Sequence, residues 1–419
     1  MNAISLGSRR DLSSRKRRVR VNTLGKGCTM SISEDSIQLH KKLKGKLSIQ
    51  PKIDVHDQKM LSLVYTPGVA AVSKLIASDK SLVYEYTSKW NSVAIVSDGS
   101  RVLGLGNIGP EGALPVMEGK ALIFKKFGNV DAFPLCLDAK DAAEIAGVVR
   151  AIAPSFGGIN LEDIDAPKCF HVEEMLSDLP IPVFHDDQHG TAVVVLAGLI
   201  NALKVVKKSV EDVKIAVLGA GAAGIGTTRL LLAYGAKNII VADSSGTIYK
   251  GRKKNMNKYK EEIAKVTNKK RLVGETKEAM AGSDVVIGVS AIPNLIKPEM
   301  IKEMSDNPIV FALTNPEPEI MPSLAAQAGV AVIATGRSDY PNQTNNSLVF
   351  PGLFRGVLDA RATKITMEMK LAAAIALANM VKKPSSENIV PKTTDNKVAP
   401  TVAQAVKEAY FRIQSFTGN

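Results

Sequence analysis

The sequence predicts an α/β protein: a doubly wound parallel sheet over about residues 190–345, an α/β domain before it and helices after it. Three observations carry this. After residue 210, the short apolar runs KIAVLG, NIIVAD, DVVIGVS, IVFALTN and VAVIATG recur, most of them separated by segments of helical length. That alternation implies a parallel sheet covered on both faces. The first run leads directly into the glycine-rich turn VLGAGAAGIG. Finally, 419 residues exceed the usual single domain, so two domains with separate cores and a crevice between them are expected.

Taken in order, residues 1–30 form a basic arm. Arg9, Arg10, Arg15, Lys16, Arg17, Arg18, Arg20 and Lys26 face a single acid, Asp11, which is more than half of the net charge of +13. The body is therefore only mildly basic, and no nucleic-acid partner is expected. The arm has no sustained apolar face and no secretory h-region, so it is predicted to be disordered. Its Arg and Ser content permits an organellar import signal. A start placed too far upstream is the competing explanation, because Met30 opens an ordinary helical sequence, and a cytoplasmic location is expected. No uninterrupted apolar run reads as a membrane span. Cys28, Cys136 and Cys169 are too widely spaced for a disulfide framework or a zinc pattern, which fits a reducing compartment.

Residues 31–189 form the first domain. SISEDSIQLHKKLKGK places Ile32, Leu39 and Leu43 at helical spacing behind a serine and early acids. SVAIVSDG, residues 92–99, reads as a buried strand, and GLGNIGPEGALP as a long irregular loop. Residues 346–419 read as helices that pack back on the first domain, joined by the polar connector SSENIVPKTTDNK.

In VLGAGAAGIG, Gly219, Gly221 and Gly224 follow a strand and open a helix with Ala222 and Ala223. The glycines permit a tight turn, backbone approach to a pyrophosphate and close helix packing, which predicts a Rossmann-like dinucleotide site. Asp243 ends the next strand, where a carboxylate accepts from a ribose hydroxyl and repels a 2′-phosphate. Lys250, Arg252, Lys253 and Lys254 follow in SSGTIYKGRKK and are able to neutralise such a phosphate, or form a solvated loop. NAD and NADP both stay open.

FHDDQHGTA sets Asp186 beside Asp187 just before an apolar run, and INLEDI sets Glu162 beside Asp163 between Ile159, Leu161 and Ile164. One aspartate suffices to cap a helix. Two acidic pairs in apolar settings point instead to a hard divalent cation, Mg²⁺ or Mn²⁺. His185 and His189 have H-x₃-H spacing but no third nitrogen or sulfur ligand, which argues against zinc. Tyr65 precedes the turn of VYTPGVA, Arg101 adjoins the glycine-rich SDGSRVLGLGNIGP, and Lys120 precedes an apolar run. They suit, respectively, a phenol in a cleft, a grip on a carboxylate, and a partly desolvated base of lowered pKa. Asn315 ends a predicted strand, and Asn345 and Asn346 lie a short loop beyond another.

Together YTPGVA, SDGSRVLGLGNIGP, MEGKALIFKKFG, INLEDI, FHDDQHGTA, the Gly219 turn, TNPEPE and NNSLVFPG resemble, in order, the short prokaryotic form of the malic enzymes, over about residues 32–416. The resemblance implies an N-terminal substrate and dimerisation domain, a homodimer, and malate as substrate. It makes Tyr65 the general acid, Lys120 the general base, and Asp186 a supporting carboxylate. Glu162, Asp163 and Asp187 become metal ligands, Arg101, Asn315 and Asn346 malate contacts, with Asn315 also at the cofactor. His185 stands where many relatives have asparagine. The implied reaction is oxidative decarboxylation of malate to pyruvate with reduction of NAD or NADP, and decarboxylation of oxaloacetate. A noncatalytic nucleotide sensor is the alternative.

Overall fold

The computed structural model describes residues 31–417; the basic arm, Cys28 and Met30 lie outside the described residues. Residues 31–46 belong to a separate small unit. Its helix Ile32–Leu43 opens with a capping box, in which Glu34 N–H donates to Ser31 Oγ (3.3 Å) and Ser31 N–H to Glu34 Oε2 (2.7 Å).

The remainder holds two parallel sheets. The first comprises β1 (Ser92–Ser97), β2 (Asp131–Cys136), β3 (Gly158–Leu161) and β4 (Val183–His185) in the order β2-β1-β3-β4. β1 is buried along its whole length, as a central strand covered on both faces must be. Pro134, opposite Ile95, is tolerated because β2 is an edge strand. The expected loop at GLGNIGPEGALP is corrected in its second half: Gly109–Gly128 is a helix. Pro110 lies in its first turn, where a missing N–H costs nothing. Burial of Ala113, Met117, Ala121 and Phe124 outweighs the interruption at Pro115.

The second sheet contains β5 (Lys214–Leu218), β6 (Asn238–Asp243), β7 (Gly246–Thr247), β8 (Val285–Gly288), β9 (Ile309–Ala312) and β10 (Val332–Thr335). Its order is β10-β9-β8-β5-β6-β7, parallel except for the short β7. The chain winds outward from β5 in one direction and from β8 in the other, so the carboxyl ends of these neighbours form a topological switch point.

Two apolar clusters are present: the smaller, with Leu218, Val286 and Val310, belongs to the second sheet alone, while the larger spans both sheets, from Val93 in β1 through Val217 in β5 to Val406 near the C-terminus. The helix Asp186–Val206 joins the sheets, because it is apolar on nearly all sides and packs on the helices Ala222–Tyr234 and Met367–Asn379. The helix Phe350–Asp359 closes over the first sheet, with the Phe350 ring 4.6 Å and the Phe354 ring 5.3 Å from that of Phe124. Contrary to the sequence reading, Gln58–Ser78 and Asp186–Val206 are long and apolar enough to cross a membrane. The second is largely buried inside the protein, whereas the first is two helices, Gln58–Val64 and Val69–Ser78, with no buried residue.

Close approach of the joining helix has a testable cost. A Cβ on Gly226 would lie 2.2 Å from the backbone oxygen of Gln188. Gly226→Ala is expected to lower stability by about 1–3 kcal/mol, the usual scale of overpacking. A urea midpoint equal to that of the parent would contradict this packing.

Candidate active site

The acids meet because parallel neighbours end side by side. β3 and β4 are in register at Leu161 and His185, so the next residues, Glu162 and Asp186, emerge together at the carboxyl edge of the sheet. Asp163 adopts a left-handed conformation (φ 52°). Its N–H donates to Asp187 Oδ2 (2.9 Å), and its carbonyl accepts from Arg101 N–H (2.9 Å). Arg101 in turn follows a tight turn at Gly99, where a Cβ would sit 2.0 Å from Gly109 O.

Glu162, Asp163 and Asp187 each offer an oxygen within 4.8 Å of the others. Burial and mutual repulsion push Glu162 up to about 7 and Asp163 up to about 9, and burial also raises Asp187. Asp163 Oδ2 is buried with no hydrogen-bond partner among the described residues. An all-oxygen donor set with an orphaned lone pair fits a hard divalent cation. Capping does not account for the pair of aspartates: no side chain caps this helix, and Asp186 Oδ2 accepts from Lys120 instead. Zinc is disfavoured again, since His189 Nε2 is held 2.6 Å from Glu173 Oε1 and its Nδ1 3.3 Å from Lys370 Nζ. His185 is buried, which lowers it to about 4, and its Nε2 lies 3.6 Å from Asp187 Oδ2.

Added Mn²⁺ is therefore expected to raise the melting temperature in a concentration-dependent way by mass action. Asp187→Asn, which keeps the size but removes a charge, should abolish most of that rise. An equal Mn²⁺ response in parent and variant would show that Asp187 is not a ligand.

Lys120 comes from the helix Gly109–Gly128. Its Nζ donates to Glu162 Oε1 (2.8 Å) and to Asp186, and lies 4.0 Å from the centroid of the Phe350 ring. The expected lowering of its pKa is corrected. Burial does disfavour the ammonium, but the charges of Asp186 and Glu162 more than offset it and hold the proton on. Asp186 is itself fully buried and pushed up to about 7 by that burial. Gly190 makes room for it, because a Cβ there would fall 1.9 Å from Asp186 Oδ1.

One cavity of about 830 Å³ joins this cluster to the second sheet. Arg101, Lys120, Glu162, Asp163 and Asp187 line one end. Asn315, Asn345 and Asn346 line it further along, and Gly219, Gly221, Ala222, Ala223 and Asp243 the other end. The glycines divide their work. Gly219 (φ 117°) turns under Val289, where a Cβ would meet the backbone oxygen at 2.4 Å. Gly221 faces open space, whereas at Gly224, which is not on the wall, a Cβ would fall 1.8 Å from Gly219 O.

Two candidates stand apart from their expected roles. Tyr65 is 67% exposed and does not line the cavity. Asp243 lines it, but its lone pairs are taken by Arg252 (2.6 and 2.8 Å), Lys260 (2.7 Å), Asn255 (3.2 Å) and Ser245 N–H (2.8 Å). A free carboxylate that accepts from ribose and repels a 2′-phosphate is therefore not what β6 presents.

Sequence reasoning missed several supporting groups. Buried Asn160 donates to Glu162 Oε2 (3.0 Å), and a polar residue inside the apolar strand GINL was its signal. Fully buried Glu319 ties the ends of β8 and β9 together, accepting from Ser290 N–H (2.9 Å) and Thr314 Oγ1 (2.6 Å). Phe350 and Lys260 carried no local signal.

The family model described as "Malic enzyme, N-terminal domain" matches residues 44–177, and "Malic enzyme, NAD binding domain" matches residues 188–411. The chain is 53% identical over 383 residues to a bifunctional malic/malolactic enzyme of Bacillus subtilis, covering 91% of this chain and 93% of that protein. It is 54% identical over 386 residues to an NAD-dependent malic enzyme of Geobacillus stearothermophilus, covering 91% and 80%. Among solved structures it is similar to the NAD-dependent malic enzyme of Thermotoga maritima, with TM-score 0.86, 51% identity, and 89% and 99% of the two chains covered. For the malic enzyme of Pyrococcus horikoshii the TM-score is 0.87 and the identity 48%, with 91% of each chain covered.

Proposed function

Since this chain belongs to the malic enzyme family, we propose that it converts (S)-malate to pyruvate and CO₂ with reduction of NAD or NADP, and decarboxylates oxaloacetate in the same site. The observation that carries the reading is the single cavity, which places three clustered carboxylates and Lys120 at one end and the Gly219 turn at the other.

Glu162, Asp163 and Asp187 hold the divalent cation, and the Gly219–Ala223 turn holds the dinucleotide. The cation supplies Lewis-acid polarisation, and the dinucleotide the hydride acceptor. Arg101, Asn315 and Asn346 bind and orient malate, the guanidinium suiting a bidentate grip on a carboxylate. Lys120 first passes its ammonium proton to the buried carboxylate of Asp186, to which it already donates, and the free amine at Nζ then takes the proton of the C2 hydroxyl, so that Asp186 both aims the amine and keeps the relayed proton. After CO₂ leaves, the phenol of Tyr65 gives its proton to C3 of the enol.

Tyr65 is outside the cavity wall of its own chain, and the surface around it is apolar: Leu61, Leu63, Val64, Val69 and Leu75 are all exposed. A surface of this kind calls for a partner. We assign it to a second copy of the chain, in a homodimer where each subunit lends Tyr65 to the other's cavity. This supplies the missing acid and covers the apolar face together.

The activity is tested by following malate-dependent reduction of NAD and of NADP, with and without Mn²⁺, alongside CO₂ release. Absence of malate-dependent reduction with both dinucleotides would sink the reading.

A further inference from the structure

Glu319 is a charge that the proposed reaction does not use. It is fully buried beyond the carboxyl ends of β8 and β9, and its partners among the described residues are hydroxyls and backbone N–H groups. A buried carboxylate is costly unless donors surround it. Here Oε1 accepts from Ser290 N–H (2.9 Å), Ser290 Oγ (3.0 Å) and Thr314 Oγ1 (2.6 Å), and Oε2 accepts from Thr314 N–H (3.1 Å). The two hydroxyls extend its reach. Thr314 Oγ1 accepts from Ala291 N–H (3.0 Å), and Ser290 Oγ from Ile292 N–H (3.1 Å). Successive N–H groups after β8 are thus drawn toward one carboxylate, directly or through a hydroxyl.

The turn so formed is strained. Ala291 is left-handed (φ 58°), a conformation that is unfavourable for a residue with a Cβ and persists where the surroundings enforce it. Ser290, Ala291 and Ile292 all line the cavity. They also abut the glycine turn, since a Cβ on Gly219 would lie 2.4 Å from Val289 O and 3.0 Å from Ser290 Cα. With its N–H groups engaged inside the protein, the turn offers the cavity an apolar ledge, Ala291 and Ile292. That ledge stands at the switch point between β5 and β8, where this fold binds its ligands.

We infer that Glu319 is a positioning residue for the dinucleotide: by drawing in the N–H groups of Ser290, Ala291 and Ile292 it holds Ala291 left-handed and so fixes the ledge beside Gly219 against which the dinucleotide lies. The inference rests on the dinucleotide reading of the cavity. The ledge meets a part common to NAD and NADP, so both depend on Glu319 alike. The carboxylate end of the cavity does not depend on it.

The test is equilibrium binding of NAD and NADP, without malate or metal, to the parent, to Glu319→Gln and to Glu319→Gln combined with Ala291→Gly. Glutamine keeps the shape but loses the charge, and sets its NH₂ group against at least one of the donors. It is expected to weaken both dinucleotides at least about tenfold, the scale of one buried N–H left unpaired. Mn²⁺ should still raise the melting temperature as it does in the parent. Glycine adopts the left-handed conformation freely, so the double variant should return to within about threefold of parent affinity. Affinities of Glu319→Gln within about twofold of the parent overturn the inference. So does a loss that Ala291→Gly leaves untouched or that extends to the Mn²⁺ response, because either makes Glu319 a general support of the fold. If Glu319→Gln does not fold, Thr314→Val decides: it keeps the shape and cuts Ala291 N–H off from the carboxylate. Both affinities should then fall at least about fivefold, and values within about twofold of the parent overturn the inference. A parent that binds neither dinucleotide overturns the cofactor reading itself, a distinct result from an unchanged affinity in the variant.

Discussion

Lys120→Ala is expected to lower turnover with malate by at least about 10²-fold, the scale of losing a positioned general base, while dinucleotide binding persists. The two effects separate because Lys120 and the Gly219 turn occupy opposite ends of the cavity. The substitution also leaves Glu162 and Asp186 buried without the ammonium that now bridges them. Breaking a buried ion pair from one side typically costs about 3–5 kcal/mol, so the variant should unfold at lower urea as well. Dinucleotide titration of the folded variant separates loss of chemistry from loss of fold. Turnover near that of the parent would remove Lys120 from the mechanism and leave it a structural counter-ion.

The charge state of Lys120 shows what was legible in the sequence and what was not. The residue itself was found, because its motif is contiguous and resembles that of the family. Its environment was not, because Glu162 and Asp186 come from other strands, and a lysine ahead of an apolar run reads as desolvated when only its neighbours in sequence are considered. The acidic pairs were legible for the opposite reason. Each lies at a strand end, and parallel neighbours bring such ends together, so local spacing already encoded the cluster. The Gly219 turn was legible on the same grounds, being one strand, one turn and one helix. Asp243 was placed correctly on the wall, yet Arg252 and Lys260 reach it through a loop and a helix whose path no periodicity reports. Likewise β2 was hidden by Pro134 and the helix Gly109–Gly128 by Pro110 and Pro115, since a proline signals a break unless its position at an edge or in a first turn is known.

Mixing two inactive variants is expected to restore activity. If each subunit lends Tyr65 to its partner, Tyr65→Phe loses the acid in every site, and Lys120→Ala loses the base in every site. In a dimer containing one of each, the site built on the Tyr65→Phe subunit keeps its own Lys120 and receives an intact Tyr65 of the partner subunit. The other site of that dimer lacks both groups. Random assortment makes half of the dimers hybrid, each with one complete site, so about a quarter of parent activity should return on dissociation and reassembly. Were Tyr65 to act within its own chain, neither site of the hybrid would be complete and no activity would appear. Sedimentation of the parent provides the companion result. A dimer of this chain covers the apolar residues around Tyr65, whereas a monomer, or a chain that partitions into lipid vesicles through Gln58–Ser78, would remove the second copy from that surface and with it the shared site.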